Sequence, residues 1–243
     1  MTDAAAPPDA AAPAAPTKPA RIRAMFTAIV PRYDLVNRLM TLGLDQRWRR
    51  QTVAAVAPRD GVVLDIAAGT GDLAFEAAKQ GARRVLGADF CPRMIEAARR
   101  KARRLPQTAT VRFLVADAMS LPFADASFDA IVNGFMLRNV ADLSATFVEL
   151  ARVLKPGGRL ACLDLTPPRG LMRHFFSLYI ATVVPLLGVI FARNYAAYRY
   201  LFDSLAVHPD ADRVAAMMRA AGFRQATYRV TGFGTVAIHL GVK

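Results

Sequence analysis

The segment of this chain best suited to chemistry is Val62-Val63-Leu64-Asp65-Ile66-Ala67-Ala68-Gly69-Thr70-Gly71-Asp72, an apolar run leading into a glycine turn and a helix start. Gly69 and Gly71 remove side chains where the backbone must pass close to a ligand, and glycine also accepts a positive φ there. Helix-start amides beyond Gly71 can donate to acceptors on that ligand. Gly69-Thr70-Gly71-Asp72-Leu73-Ala74 also satisfies the dinucleotide pattern G-x-G-x-x-G/A, and Asp89 stands near the spacing of a ribose-binding acid. The loop alone leaves the cofactor open.

Three further features separate the options. Asp65 lies inside the strand, where a plain dinucleotide strand is apolar; in methyltransferases an acid there supports the loop and the methionine amino group. Asp117-Ala118 follows the third apolar run, where an acid accepts from the adenine amino group. Lys155-Pro156-Gly157-Gly158 reads as a turn that stops a helix before the fifth run, a feature typical of the same class. Adenosine bound without a pyrophosphate needs side-chain contacts to ribose, adenine and amino acid, one from each of three strand ends. The expected cofactor is therefore S-adenosyl-L-methionine. Any single acid here can be an ordinary helix cap, but caps do not require this coordinated placement.

The elements that position these residues follow the rhythm of a parallel α/β domain. Strands are predicted at Val62–Ala67, Arg84–Ala88, Val111–Ala116, Ala130–Gly134, Arg159–Leu165, Gln225–Val230 and Thr235–Val242. Predicted helices span Asp72–Gln80, Pro92–Leu105, Leu143–Leu154 and Ala211–Ala220, the last stopped by Gly222. The fold class is thus a Rossmann-like, mostly parallel seven-stranded sheet with an antiparallel edge strand and an inserted helical cap at residues 171–205. Ile22 to Arg50 carries apolar and basic residues at helical spacing, with Met25, Phe26, Ile29 and Val30 on one face. Residues 1–20, almost entirely Ala, Pro, Asp and Thr, read as a disordered tail ahead of a single domain at 21–243.

Several segments together resemble the ubiquinone/menaquinone biosynthesis C-methyltransferases, over nearly everything after the tail. They include Arg32-Tyr33-Asp34-Leu35-Val36-Asn37, Trp48-Arg49-Arg50, Ala67 to Asp72 and Leu121-Pro122-Phe123. Leu137-Arg138-Asn139-Val140, Arg152 to Gly158, Tyr198-Arg199-Tyr200-Leu201 and Ala237-Ile238-His239 complete the set. The glycine loop and the Lys-Pro-Gly-Gly turn are shared by many methyltransferases, whereas Tyr-Asp-x-x-Asn, Arg-Asn-Val and Tyr-x-Tyr-Leu are more specific. The resemblance implies cofactor contacts at Thr70, Asp89, Asp117 and Ala118, beside those read from Asp65, Gly69 and Gly71. A further family contact, often a serine, falls on Gly134, which leaves only its backbone to offer. The resemblance also places Arg138 and Asn139 beside a polyprenyl quinol ring, in the biosynthesis of menaquinone, ubiquinone or both.

Methylating an aromatic carbon requires that carbon to become nucleophilic, which a hydroquinone achieves when a ring hydroxyl loses its proton. The protein must assist deprotonation, align the carbon with the sulfonium methyl and exclude water. Guanidinium stays charged, so Arg138 suits phenolate stabilisation or orientation of a relay water, and Asn139 can fix that arginine. A plainer alternative makes Asn139 the cap of the next helix. His174, His208 and His239 compete as bases.

Thirty-two basic against nineteen acidic residues give a formal net charge of +13, which favours an anionic partner. Phe175 to Ala192 contains no charge, yet Pro185 and Gly188 interrupt it and the chain must return to finish the sheet. The reading is two helical pieces covering the active site and facing lipid, with Arg169, Arg173, Arg193 and Arg199 at anionic headgroups. The competing reading is an ordinary buried helical cap. Cytoplasmic localisation, peripheral on the inner membrane face, follows as an expectation. Arg99, Arg100, Lys101, Arg103 and Arg104 read as a solvated helix face. The strand-four end Asn133-Gly134-Phe135 lacks the Pro-Pro-aromatic clamp for exocyclic base amines, which argues against RNA or other nucleic acid as partner. Cys91 and Cys162 fit no metal-ligand spacing, so no metal is expected. Oligomeric state stays open, a homodimer included.

Overall fold

A computed structural model describes residues 17–105, 108–187, 189–190, 199–200, 203–205 and 207–243. The seven apolar runs form β1 (Val62–Ile66), β2 (Arg84–Asp89), β3 (Val111–Val115), β4 (Phe128–Gly134), β5 (Leu154–Leu165), β6 (Thr227–Thr231) and β7 (Val236–Val242). They make one sheet in the order β3-β2-β1-β4-β5-β7-β6. β1 to β5 pair in parallel. At one edge the pairing turns antiparallel, β7 against β5 and β6 against β7. Four of the five β1 residues are buried, as a central parallel strand covered on both faces requires. β1 connects to β2 on one side and borders β4 on the other. That reversal of strand order opens a crevice at the carboxyl ends of the strands, the usual ligand site of such sheets.

The helices are α1 (Lys18–Ile29), α2 (Tyr33–Met40), α3 (Leu44–Val56), α4 (Asp72–Lys79), α5 (Pro92–Ala102), α6 (Leu143–Val153), α7 (Met172–Leu178), α8 (Val184–Leu187) and α9 (Ala211–Ala220). α3, α4 and α5 cover one sheet face through Val53, Leu73, Phe75 and Ile95. α6 and α9 cover the other through Phe147, Leu150, Val214 and Met218. Their starts have local causes: Pro92 opens α5, Asp142 accepts from the Ala145 amide at α6, and Asp210 accepts from the Arg213 amide at α9.

Beyond shifts of up to three residues at the ends of elements such as α5, β4 and β6, three features differ from the sequence expectation. The tail assigned to residues 1–20 overlaps α1, which Thr17 caps and Pro19 starts, so residues 18–20 are helical; residues 1–16 lie outside the described residues. Lys155 to Gly158 does not precede β5 but bulges out of it: Leu154 already pairs with Phe128, and pairing resumes between Arg159 and Ala130. Gly157 takes φ +76° within that bulge. The apolar segment is not split at Pro185. Helix continues from Met172 to Leu187, with a π-helical stretch at Tyr179–Val183 just ahead of the proline. Proline offers no N–H to the turn before it, and a local shift to π geometry accommodates that loss. Gly188, Phe191 to Tyr198, Leu201 and Phe202 fall outside the described residues, as does Ala206.

Candidate active site

Two residues with left-handed backbone mark the crevice: Ala67 (φ +58°) just past β1 and Phe135 (φ +60°) just past β4. Such conformations are uncommon for non-glycine residues, and for a bulky one they are found where the surrounding fold over-determines them, often at ligand sites. Both residues line a cavity that also exposes Gly69, Asp89, Asp117, Ala118, Gly134 and Asn139, together with Pro19, Phe26 and Tyr33 from α1 and α2. Asp89 and Asp117 therefore converge here, Asp65 does not line the cavity, and the amino-terminal helices roof it over.

Each acid has a distinct setting. Asp89 accepts from the Gly69 amide and the Cys91 amide, both at 2.8 Å, so it builds the glycine turn while facing the cavity. Burial raises its pKa to about 6, against those two backbone hydrogen bonds. Asp117 accepts from the Met119 amide at 2.9 Å, which orients its carboxylate at the end of β3. Asp65, fully buried, accepts from the Ala74 amide at 2.9 Å and so supports the loop and α4. Its Oδ1 has no partner, and burial pushes its pKa up to about 8. Asp65 lines neither cavity and stands behind the wall of the first, next to Ile66 and Ala67, and its unpaired oxygen is a group a ligand donor would satisfy.

Not every expected contact reaches the cavity. Thr70 is buried and donates to Asp34 Oδ1 at 2.6 Å, joining α2 to the loop instead of facing a ligand. Gly71 serves packing and backbone shape: at φ +91° it begins α4, and a Cβ there would sit 2.8 Å from Phe113 and 2.9 Å from Phe75. Gly134 is also explained by space, since a Cβ would meet Leu73 at 3.0 Å and Arg49 Nη1 at 3.5 Å. Lys101 is not on a solvated face. It pairs with Asp34 (2.8 Å) and with Asp72, tying α5 to the roof helix α2 and to the start of α4. No local pattern could have revealed this, because its partners stand 67 and 29 residues away.

A second cavity, of about 690 Å³, adjoins the first and shares Phe26, Tyr33, Phe135 and Asn139 with it. That volume lies within the usual range for small-molecule sites. Its wall is mainly apolar, from Met25, Ile29, Leu39, Met40 and Trp48 on one side and Phe175, Phe176, Ile180, Val183 and Val184 of the helical cap on the other. Arg138 lines this cavity. It is held not by Asn139 but by Asp164, the buried acid of β5, which accepts from Arg138 Nη1 and from the Leu137 amide. Asn139 donates to the Phe135 carbonyl at 2.8 Å. Asp142, and not Asn139, caps α6, so the capping explanation of Asn139 fails.

Three residues that line this apolar cavity carry a buried polar atom without a partner: Arg138 Nε, Asn139 Oδ1 and Tyr200 Oη. Tyr200 escaped the residue-by-residue reading, although its Tyr-x-Tyr-Leu motif was visible; nothing local distinguishes a phenol in a lipid-like cavity from one in a core. None of the three histidines lines either cavity. His174 is exposed on α7, and burial lowers the pKa of His208 and takes His239 down to about 4.

Asp89→Ala is expected to weaken S-adenosylmethionine binding by about 2 kcal/mol, on the order of thirtyfold, the scale of a lost hydrogen bond to a charged group. Calorimetry returning the wild-type affinity would remove Asp89 from the site.

A model of the ubiE/COQ5 methyltransferase family matches residues 15–243. A demethylmenaquinone methyltransferase of Thermus thermophilus is 46% identical over 220 residues, covering 89% of this chain and 99% of its own. A ubiquinone/menaquinone biosynthesis C-methyltransferase of Desulfotalea psychrophila is 44% identical over 225 residues, covering 91% of this chain and 90% of its own. Among solved structures, a SAM-dependent methyltransferase from Aquifex aeolicus superposes with a TM-score of 0.63 at 17% identity, covering 89% of this chain and 97% of that one. That last likeness speaks for the fold alone.

Proposed function

The chain belongs to the ubiE/COQ5 methyltransferase family and is an S-adenosylmethionine-dependent methyltransferase, and from that premise we propose that it methylates a ring carbon of a polyprenyl hydroquinone. The acceptor class is demethylmenaquinol or 2-methoxy-6-polyprenyl-benzoquinol, in menaquinone or ubiquinone biosynthesis. The observation that carries the reading is a large apolar cavity that shares lining residues with the cofactor cavity and is lined by three residues with unpartnered buried polar atoms. An aromatic ring with two oxygens and a long apolar tail matches that wall. A phosphate backbone does not, which disfavours RNA.

The residues fit the cofactor: Asp65 Oδ1 awaits an ammonium, Asp89 faces the ribose position, and Asp117 with Ala118 faces the adenine position. The cofactor supplies an electrophilic methyl group on a sulfonium. Arg138 stabilises negative charge on the ring oxygen as its proton departs, with Asp164 holding the guanidinium so that Nε stays free. Asn139 Oδ1 and Tyr200 Oη orient the ring hydroxyls, and Phe26, Tyr33 and Phe135 exclude water where the cavities meet. With no histidine at either wall, the phenolic proton leaves through water positioned by Arg138. Incubation with labelled S-adenosylmethionine and each reduced quinone separately tests the reading, since product mass reports both reaction and acceptor. No turnover with either quinol, in protein that binds the cofactor, would sink it.

A peripheral, cytoplasmic station on the inner membrane face completes the proposal. No helix among the described residues is long and apolar enough to cross a membrane. The cap turns Phe176, Ile180 and Val184 toward the cavity and leaves Leu178, Leu186, Val189 and Ile190 exposed, while Phe175 both lines the cavity and is exposed. An apolar helix face beside the entrance of an apolar cavity suits shallow insertion. Two of the four arginines proposed for headgroups have other partners: Arg169 pairs with Asp212 (2.6 Å) and Arg199 with Asp203 (3.7 Å), both exposed. Exposed pairs are weak enough for an anionic lipid to compete with them. Arg193 lies outside the described residues. Flotation with anionic liposomes is expected for the wild type, and its loss for Val189→Glu with Ile190→Glu. Equal flotation of both proteins would refute the peripheral mode.

A further inference from the structure

Among the described residues, no lysine or arginine lines the cavity assigned to the cofactor. S-adenosylmethionine carries an α-carboxylate beside its α-ammonium, so Asp65 answers only one half of a zwitterion. We propose that Arg49, on α3, anchors the carboxylate; this rests on the cofactor assignment above. Trp48, buried against Leu163, Val236 and Ile238, fixes α3 on the sheet and turns the next residue toward the strand ends.

The Arg49 guanidinium is nearly buried and lies against two residues that line the cavity. It sits over the Phe135 ring at 5.6 Å, and its Nη1 is 3.5 Å from where a Cβ on Gly134 would stand. A side chain at position 134 would stand in ordinary contact with the guanidinium, which places Arg49 directly behind this stretch of the cavity wall. The two edges of Arg49 are used differently. Its Nε faces Asp45 at 3.4 Å and Asp72 at 3.9 Å, whereas its Nη groups make no hydrogen bond among the described residues. A guanidinium fork with free parallel donors matches a carboxylate.

The charges around it permit this role. Asp45, Asp65, Asp72 and Tyr33 act on Arg49, but Asp72 is shared with Lys101, and burial keeps Asp65 neutral below about pH 8. Two other cations nearby are engaged, Arg138 with Asp164 and Lys101 with Asp34 and Asp72. The amino terminus of α4 is a weak substitute, because Asp72 in its first turn offsets the helix dipole.

Calorimetry with two probes tests the assignment. S-adenosylhomocysteine carries the amino acid, whereas 5′-methylthioadenosine keeps adenosine and sulfur but lacks it. Arg49→Gln is expected to weaken S-adenosylhomocysteine about ten- to a hundredfold and to leave methylthioadenosine unchanged, which also certifies a folded site. Arg49→Lys, which keeps the charge and loses the fork, is expected to fall between. Equal weakening of both probes, or no effect on S-adenosylhomocysteine, overturns the role of Arg49. Failure of the wild type to bind either probe overturns the cofactor assignment and this inference with it.

Discussion

Arg138→Ala is expected to lower kcat with a quinol acceptor about a hundred- to a thousandfold while S-adenosylmethionine binds as in the wild type. Arg138 lines the acceptor cavity and not the cofactor cavity, so its partner exists only when the acceptor is bound and charged. The same substitution strands Asp164, buried and then unpaired, at a cost of about 3–5 kcal/mol to stability. Arg138→Lys separates the two effects. Lysine can still pair with Asp164, but all its donors sit on one nitrogen and cannot reach from Asp164 to the ring oxygen as the separate Nη1 and Nε of arginine do. Its kcat is expected to stay at least about tenfold down in protein of near-wild-type thermal stability. Activity within a few-fold of wild type for Arg138→Lys would reduce Arg138 to a structural partner of Asp164.

How far this site was legible depends on the range of the contacts that make it. Asp89 and Asp117 were visible because each stands at the end of an apolar run, and parallel strands bring those ends together without further instruction, whereas Asn139 came from the family resemblance. Helix Ala211–Ala220 was predicted to the residue because Asp210 and Gly222 punctuate it locally. Lys101 was misread, and the packing of Thr70 and Gly71 went unseen, for the opposite reason. Their roles are set by Asp34, Phe113 and Asp72, which reach them through tertiary packing that periodicity does not encode. Asp164 was passed over as another strand residue, although it holds both the Leu137 amide and Arg138. The roof over the cofactor cavity was likewise only a helical pattern in sequence; its contribution of Phe26 and Tyr33 to both cavities needed the fold.

Cofactor affinity is expected to rise about a hundredfold between pH 5.5 and 7.5, with close to one proton released per molecule bound at pH 7. In the free protein Asp65 has a pKa of about 8, raised by burial and opposed by the Ala74 amide and Arg49, with Asp89 and Asp72 adding to the rise. It is therefore protonated through most of that window. An arriving ammonium requires the carboxylate, so the bound state favours ionised Asp65 and its pKa there must be lower. Binding then expels the proton, and each pH unit below the free-state value weakens affinity by about tenfold, or about 1.4 kcal/mol. Asp89, at about 6, adds a smaller dependence of the same sign at the acid end, because ribose hydroxyls donate best to its ionised form. Asp65→Asn keeps an acceptor for the Ala74 amide but cannot ionise. It is expected to remove the dependence above pH 6.5 and to bind more weakly than wild type at pH 7.5. Calorimetry in buffers of different ionisation enthalpy counts the released proton directly. A wild-type affinity that is flat across the window, with no proton released, would show that Asp65 does not meet the cofactor's amino group.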